Sequence, residues 1–153
     1  VLTAERRKHQ ATFFNLAGAP AGATVLRRET FTPRLQTGDV IRADALASFK
    51  RDVGGGAGTS GTFLILRIVS TVGGIDTIEE EATVDTGENA GAAGVTTRVP
   101  MSAAMLFVLP NTPGATTSHA VELVAYTDGT ADNAFRTFEN IVLLTELHTQ
   151  GPR

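Results

Sequence analysis

Residues 118–147 constrain the fold more than any other part of the chain. Two runs of β-type residues lie there: His119, Ala120, Val121, Glu122, Leu123, Val124, Ala125 and Tyr126, then Phe-Glu-Asn-Ile-Val-Leu-Leu-Thr-Glu-Leu over residues 138–147. Residues 128–133, Asp-Gly-Thr-Ala-Asp-Asn, separate them with turn formers. An apolar strand with a bare ladder edge is a template for aggregation. The second run is therefore expected in the middle of a sheet, with both edges paired.

The rest of the chain reads the same way. In residues 40–50, Ile41, Ala43, Ala45, Ala47 and Phe49 alternate with Arg42, Asp44, Ser48 and Lys50, the period of a half-buried strand, although the alanine content leaves a helix open. Residues 62–70 and 101–109 are near-continuous apolar strands, which predicts that their second faces are covered by another sheet, an arm or a subunit. Residues 76–86 form a further strand in which Ile78, Glu80, Ala82 and Val84 are expected on one face. Residues 54–61, 87–94 and 128–133 read as loops. Seven to nine strands at this spacing, without alternating helices, predict an antiparallel β-sandwich or barrel.

The first 23 residues stand apart as a basic arm and linker, ahead of a β-domain over residues 24–153. Residues 3–17 fit either a short helix, with Thr3 as N-cap and Gly18 beyond its end, or an extended arm. Arg6, Arg7 and Lys8 in the first turns would oppose a helix macrodipole. The start has no apolar core of a signal peptide, and it opens on Val1, so an initiator or a longer segment is expected to precede it. No run is long and apolar enough for a membrane-spanning helix.

The net charge of −3 is unevenly placed. Residues 1–50 hold eight basic against four acidic residues, a balance of +4, and residues 51–153 hold five against twelve, a balance of −7. Either the basic part docks on an acidic partner, or the two parts neutralise each other within the fold or between subunits.

No motif carries chemistry. Without Cys there is no thiolate nucleophile, disulfide or zinc ribbon. His9, His119 and His148 lack metal-ligand spacing and read as solvated or locally bonded side chains. Glu79 and Glu81 would share a strand face at a separation near that of glycosidase carboxylates, but the absence of Trp leaves Tyr126 as a poor sugar platform. The loop Asp-Gly-Thr-Ala-Asp-Asn lacks the ligand order of a calcium site. The Gly-rich residues 54–61 have no P-loop Lys. Arg6, Arg7 and Lys8 with Phe13 and Phe14 are the candidate partner-binding residues. Three cations beside Glu5 are too small a footprint for nucleic acid. No catalytic, metal or cofactor site is expected.

Residues 62–147 resemble the jelly-roll modules of tailed-bacteriophage virion proteins, that is, head decorations, head fibres and tail fibres or spikes. The resemblance rests on three features: the strand Phe-Leu-Ile-Leu-Arg-Ile with its following turns; Met-Leu-Phe-Val-Leu, a short gap and His-Ala-Val-Glu-Leu-Val-Ala-Tyr; and a Gly/Asp/Asn loop before Ile-Val-Leu-Leu-Thr-Glu-Leu. It implies a non-enzymatic homotrimer on a virion assembled in the host cytoplasm, its second apolar faces packed between subunits and its basic arm anchored to capsid or tail components. A carbohydrate- or host-surface-binding module, with a host glycan as partner, shares this fold and is the alternative. A small hydrolase using Glu79, Glu81 or a loop Asp is the third reading.

Overall fold

The structure, a computed structural model, describes residues 2–16, 24–31, 35–52, 62–85, 96–127 and 135–150. Among the described residues eight strands run in order: β1 (Leu2–Leu16), β2 (Thr24–Phe31), β3 (Val40–Asp52), β4 (Thr62–Val72), β5 (Ile75–Asp85), β6 (Thr96–Val108), β7 (Ser118–Thr127) and β8 (Phe135–Gln150). The loops expected at residues 54–61, 87–94 and 128–133, and the linker before β2, lie outside the described residues.

The strands form two four-stranded sheets, β1-β8-β3-β6 and β2-β7-β4-β5, and every ladder is antiparallel. The first strand pairs with the last, the second with the seventh, the third with the sixth and the fourth with the fifth. The chain is thus one long hairpin rolled into two sheets, the jelly-roll sandwich. As expected, β8 is an inner strand, held between β1 and β3.

The inner faces make one core. From β3 it takes Ile41, Ala43, Ala45, Ala47 and Phe49, the face read from the sequence. Leu64, Leu66 and Ile68 of β4 and Val121 and Leu123 of β7 face them from the other sheet. Short alanines on one sheet against branched side chains on the other let the layers interdigitate. Leu143 and Leu147 of β8 are also fully buried.

Bulges correct the face pattern. Between β3 and β8 the register shifts after Leu46↔Val142, resuming at Ser48↔Glu139. Asn140 lies in this shift with φ of 53°, a conformation Asn tolerates better than most residues. Phe138 and Ile141, an odd number of positions apart, can therefore both enter the core. A second shift, between Leu66–Ile68 and Val69–Val72 of β4, pairs Ile68 with Glu80 but Val69 with Ile78, skipping Glu79. Ile78 consequently leaves the face of Glu80, Ala82 and Val84, contrary to the plain alternation expected.

Of residues 3–17, the described residues 3–16 are extended rather than helical: Leu2–Leu16 pair with β8 from Leu2↔Gln150 to Leu16↔Arg136. The free edge of β8 supplies backbone partners along the whole segment, whereas a helix would have set three cations against its dipole. The segment set apart as residues 1–23 thus contributes the outer strand of a sheet.

The two apolar strands expected to be covered differ. On the outer face of β4, Phe63 and Ile65 are half-buried and Val69 is buried. On β6, Met101, Ala103 and Met105 point inward, while Leu106 and Val108 are exposed on the outer face of the chain.

Candidate functional site

Two polar constellations stand out among the described residues. The first lies at one mouth of the sandwich. Ser70 of β4 and His119 of β7 are register partners at the end of their ladder. The bulge in β5 turns Glu79 toward them, and the Ser70 hydroxyl donates a short hydrogen bond to the Glu79 carboxylate. His119 and Ser70 are both buried. These three residues open into a cavity of about 310 Å³ walled by Val72, Phe107, Leu109, Pro110 and Pro113.

The wall is fixed by a local turn. Gly38, at φ of 84°, lets its N–H donate to the Leu109 carbonyl at 2.9 Å, and the Leu109 N–H donates to the Asp39 carbonyl at 2.9 Å. Asp39 also accepts from the Gln36 N–H at 2.7 Å, and the Thr37 N–H donates to the Thr112 hydroxyl at 3.1 Å. Residues 36–39 and 109–112 are thereby joined over the mouth.

Burial pushes the His119 imidazole below its ordinary pKa, and the Glu79 charge opposes that shift without reversing it. A neutral, largely desolvated imidazole beside a carboxylate accepts or donates one hydrogen bond to a small guest. The Ser70 proton is directed to Glu79, so the bond that activates a serine nucleophile through a histidine base is not the one formed here.

The second constellation covers the outer face of the β2-β7-β4-β5 sheet. Glu122 of β7 is 1% exposed. Arg28 Nη1 donates to its Oε1 at 2.6 Å, and Arg67 Nε donates to its Oε2 at 2.7 Å. Arg28 also donates to Asp76 Oδ2 at 2.7 Å, and Thr71 donates to Asp76 Oδ1 at 2.5 Å. The Arg28 and Thr71 hydrogen bonds hold the Asp76 carboxyl down at about 2, and Asp76 and Glu122 raise the Arg28 pKa. The network ties all four strands of the sheet together.

The residues singled out in the sequence are dispersed. Arg6, Arg7 and Lys8 lie on β1 across from Glu146, Thr145 and Leu144, and Phe13 and Phe14 across from Glu139 and Phe138. Glu79 turns into the mouth, but Glu81 lies opposite Arg67 on the outer face. The bulge separates the two carboxylates, so they do not share a face as expected. His119 is buried rather than solvated, and His148 Nε2 lies 3.4 Å from Glu146. No group of metal-ligating residues occurs among the described residues.

Sequence reasoning missed both constellations. A signal for the second exists: Arg67 is a lone cation in one apolar strand and Glu122 a lone anion in another, and the strands pair with these two in register. No comparable signal marks the mouth, because the Ser70–Glu79 contact depends on a bulge.

No protein-family model matches the chain, and no curated protein matches it. Among solved structures it is similar to that of the infectious bursal disease virus Gt strain, at 10% identity and a TM-score of 0.40 over 98% of this chain and 38% of the other. A mutant VP2 protein of the same virus, in derived T=1 particles, gives 9% identity and a TM-score of 0.42 over 96% of this chain and 39% of that one. Another structure of T=1 particles derived from this virus gives 13% and 0.42, over 95% and 36%. The chain thus spans well under half the length of each of these proteins.

Proposed function

We propose that this chain is a non-enzymatic structural subunit of a virion, a homotrimeric jelly roll that decorates a bacteriophage capsid or forms the base of a fibre or spike. The observation that carries this reading is the set of large apolar side chains left exposed on the outside of a well-filled sandwich. Leu46 and Leu106 project from one sheet, and Val72, Ile75 and Ile78 gather at the β4–β5 hairpin, with Ile75 at 74% exposure. Exposed large apolar side chains that gather as at this hairpin mark places where another protein packs, and obligate interfaces resemble a core cut in half. In this reading residues 1–23 serve attachment, with Arg6, Arg7, Lys8, Phe13 and Phe14 meeting an acidic surface of the particle, and the subunit resides on a virion assembled in the host cytoplasm.

The test is the solution mass of the full chain by light scattering. A stable species at three times the 16.0 kDa chain mass is expected. A monomer throughout the micromolar range overturns the assembly reading. The mouth cavity favours a second reading, a module that binds a host-surface glycan, and binding on a glycan array that Phe107→Ala abolishes would decide for it.

A further inference from the structure

Strand β5 differs from every other strand with described side chains. All of residues 75–81 are exposed, on both faces, and no other strand with described side chains has such a run. β5 pairs with β4 along one edge and, among the described residues, has no strand on the other. Val72, Ile75 and Ile78 lie exposed on its hairpin. A long open edge with apolar residues beside it is a ready template for strand addition.

Charge decides the occupant. Glu79, Glu80 and Glu81 run consecutively along this edge. Two copies of β5 laid together would bring like charges opposite one another, which destabilises a strand pair. A basic strand is required, and the chain contains one at the end of a sheet. β1 carries Arg6, Arg7 and Lys8, pairs only with β8 among the described strands, and so has its own open edge.

The two edges cannot meet within one copy. β5 packs beside β6, the strand at the far end of the sheet that β1 begins. The acidic and basic edges therefore lie on opposite flanks of the sandwich. This is the arrangement of a head-to-tail contact, which closes into a ring when the rotation between copies allows.

We propose that the acidic edge of β5 receives the basic edge of β1 from a second copy of this chain. The inference rests on the assembly reading above and gives Arg6, Arg7 and Lys8 a neighbouring copy, in place of another component of the particle, as their acidic partner. Each contact joins one sheet of one copy to the opposite sheet of the next, and the β4–β5 apolar residues are covered alongside.

Charge exchange on the full chain tests it, with mass read by light scattering and folding by circular dichroism. Glu80→Lys/Glu81→Lys alone, or Arg6→Glu/Arg7→Glu alone, is expected to reduce the oligomer to the 16.0 kDa monomer. The chain carrying all four exchanges restores opposite signs at the contact and is expected to recover the wild-type mass. If both pairs of exchanges leave a wild-type oligomer intact, the edge assignment is wrong and the assembly reading stands. If the wild-type chain is a monomer, both fail. If each pair dissociates the oligomer, or unfolds the chain, and the fourfold exchange does not restore it, the pairing is overturned.

Discussion

Glu122 and Arg67 are register partners on β7 and β4, and both the Nε and the Nη2 of Arg67 lie 2.7 Å from one oxygen of the Glu122 carboxylate. Arg28 occupies the other oxygen from β2. The carboxylate has almost no contact with water, while both guanidiniums keep part of theirs. Desolvating Glu122 is thus offset by three charge-assisted contacts. Removing it leaves two cations side by side on the sheet.

Glu122→Ala is accordingly expected to destabilise the fold by about 3 kcal/mol, the low end for breaking a buried pair, because the arginines can turn to solvent. Arg28→Ala removes a partner one-third exposed and is expected to cost about 1 kcal/mol. Urea denaturation of the two variants checks the order. A larger loss for Arg28→Ala would mean that the outer-face network does not centre on Glu122.

The Asp76 carboxyl is held at about 2 instead of its ordinary 3.8, first by the Arg28 hydrogen bond and then by that of Thr71. A depressed carboxylate favours the folded state above its unfolded pKa and loses that contribution as pH falls through its folded pKa. The window here lies between about 3.8 and about 2. Carbon-detected NMR titration of the Asp76 carboxyl is expected to show a midpoint near the lower value, and Arg28→Gln is expected to move it back toward the upper one. An unchanged midpoint would remove Arg28 as the principal cause.

Much of the architecture could be read from the chain, and the exceptions share a physical origin. The β3 face from Ile41 to Phe49 and the inner placement of β8 follow from period-two patterning and the cost of an open apolar edge. Bulges escape such reading, because the extra residue at Asn140 or Glu79 reverses the face of everything beyond it. That is why plain alternation puts Ile78 on the wrong face and sets Glu79 beside Glu81. The arginine–glutamate network joins positions 55 and 94 residues apart, so only knowledge of strand register brings it together.

Phe49 and Phe138 are partners across the β3–β8 ladder, with ring centroids 5.3 Å apart at 51°. Both are buried on the core side of the bulge. Phe138→Ala removes a large buried ring and a tilted aromatic contact, an expected loss of about 3–5 kcal/mol. Chemical denaturation measures it. A loss under about 1 kcal/mol, typical of a surface substitution, would place Phe138 outside the core.

Gly73 and Gly74 form the two-residue turn between β4 and β5, at φ of 59° and 81°. No atom lies near a Cβ built on either, so space is not the constraint. Positive φ at both central positions is the geometry that matches the strand twist of a tight hairpin, and side chains pay for it in backbone strain. Gly74→Val is expected to cost about 1–2 kcal/mol through that strain alone, whereas Gly74→Asn, which tolerates the conformation, is expected to cost less. Equal losses in thermal unfolding would show that side-chain contacts, not backbone conformation, limit this turn.

His119 supplies the last dependence on pH. Its burial lowers the imidazole pKa from 6.5, with Glu79 pulling the other way. The groups nearest it in the mouth are Glu79, from β5, and the neutral Ser70, from β4. Because the folded state disfavours the imidazolium, the unfolded chain binds the proton more readily below pH 6.5. Stability therefore rises with pH up to about 6.5 and declines as pH falls from there to the lower folded-state pKa. His119→Gln removes the titrating group while keeping a polar side chain, and is expected to flatten this part of the stability profile. Urea midpoints measured across that range for both proteins test the assignment. A slope that survives the substitution would locate the titrating group elsewhere, whereas its loss would tie the mouth of the sandwich to the chain's behaviour in mild acid.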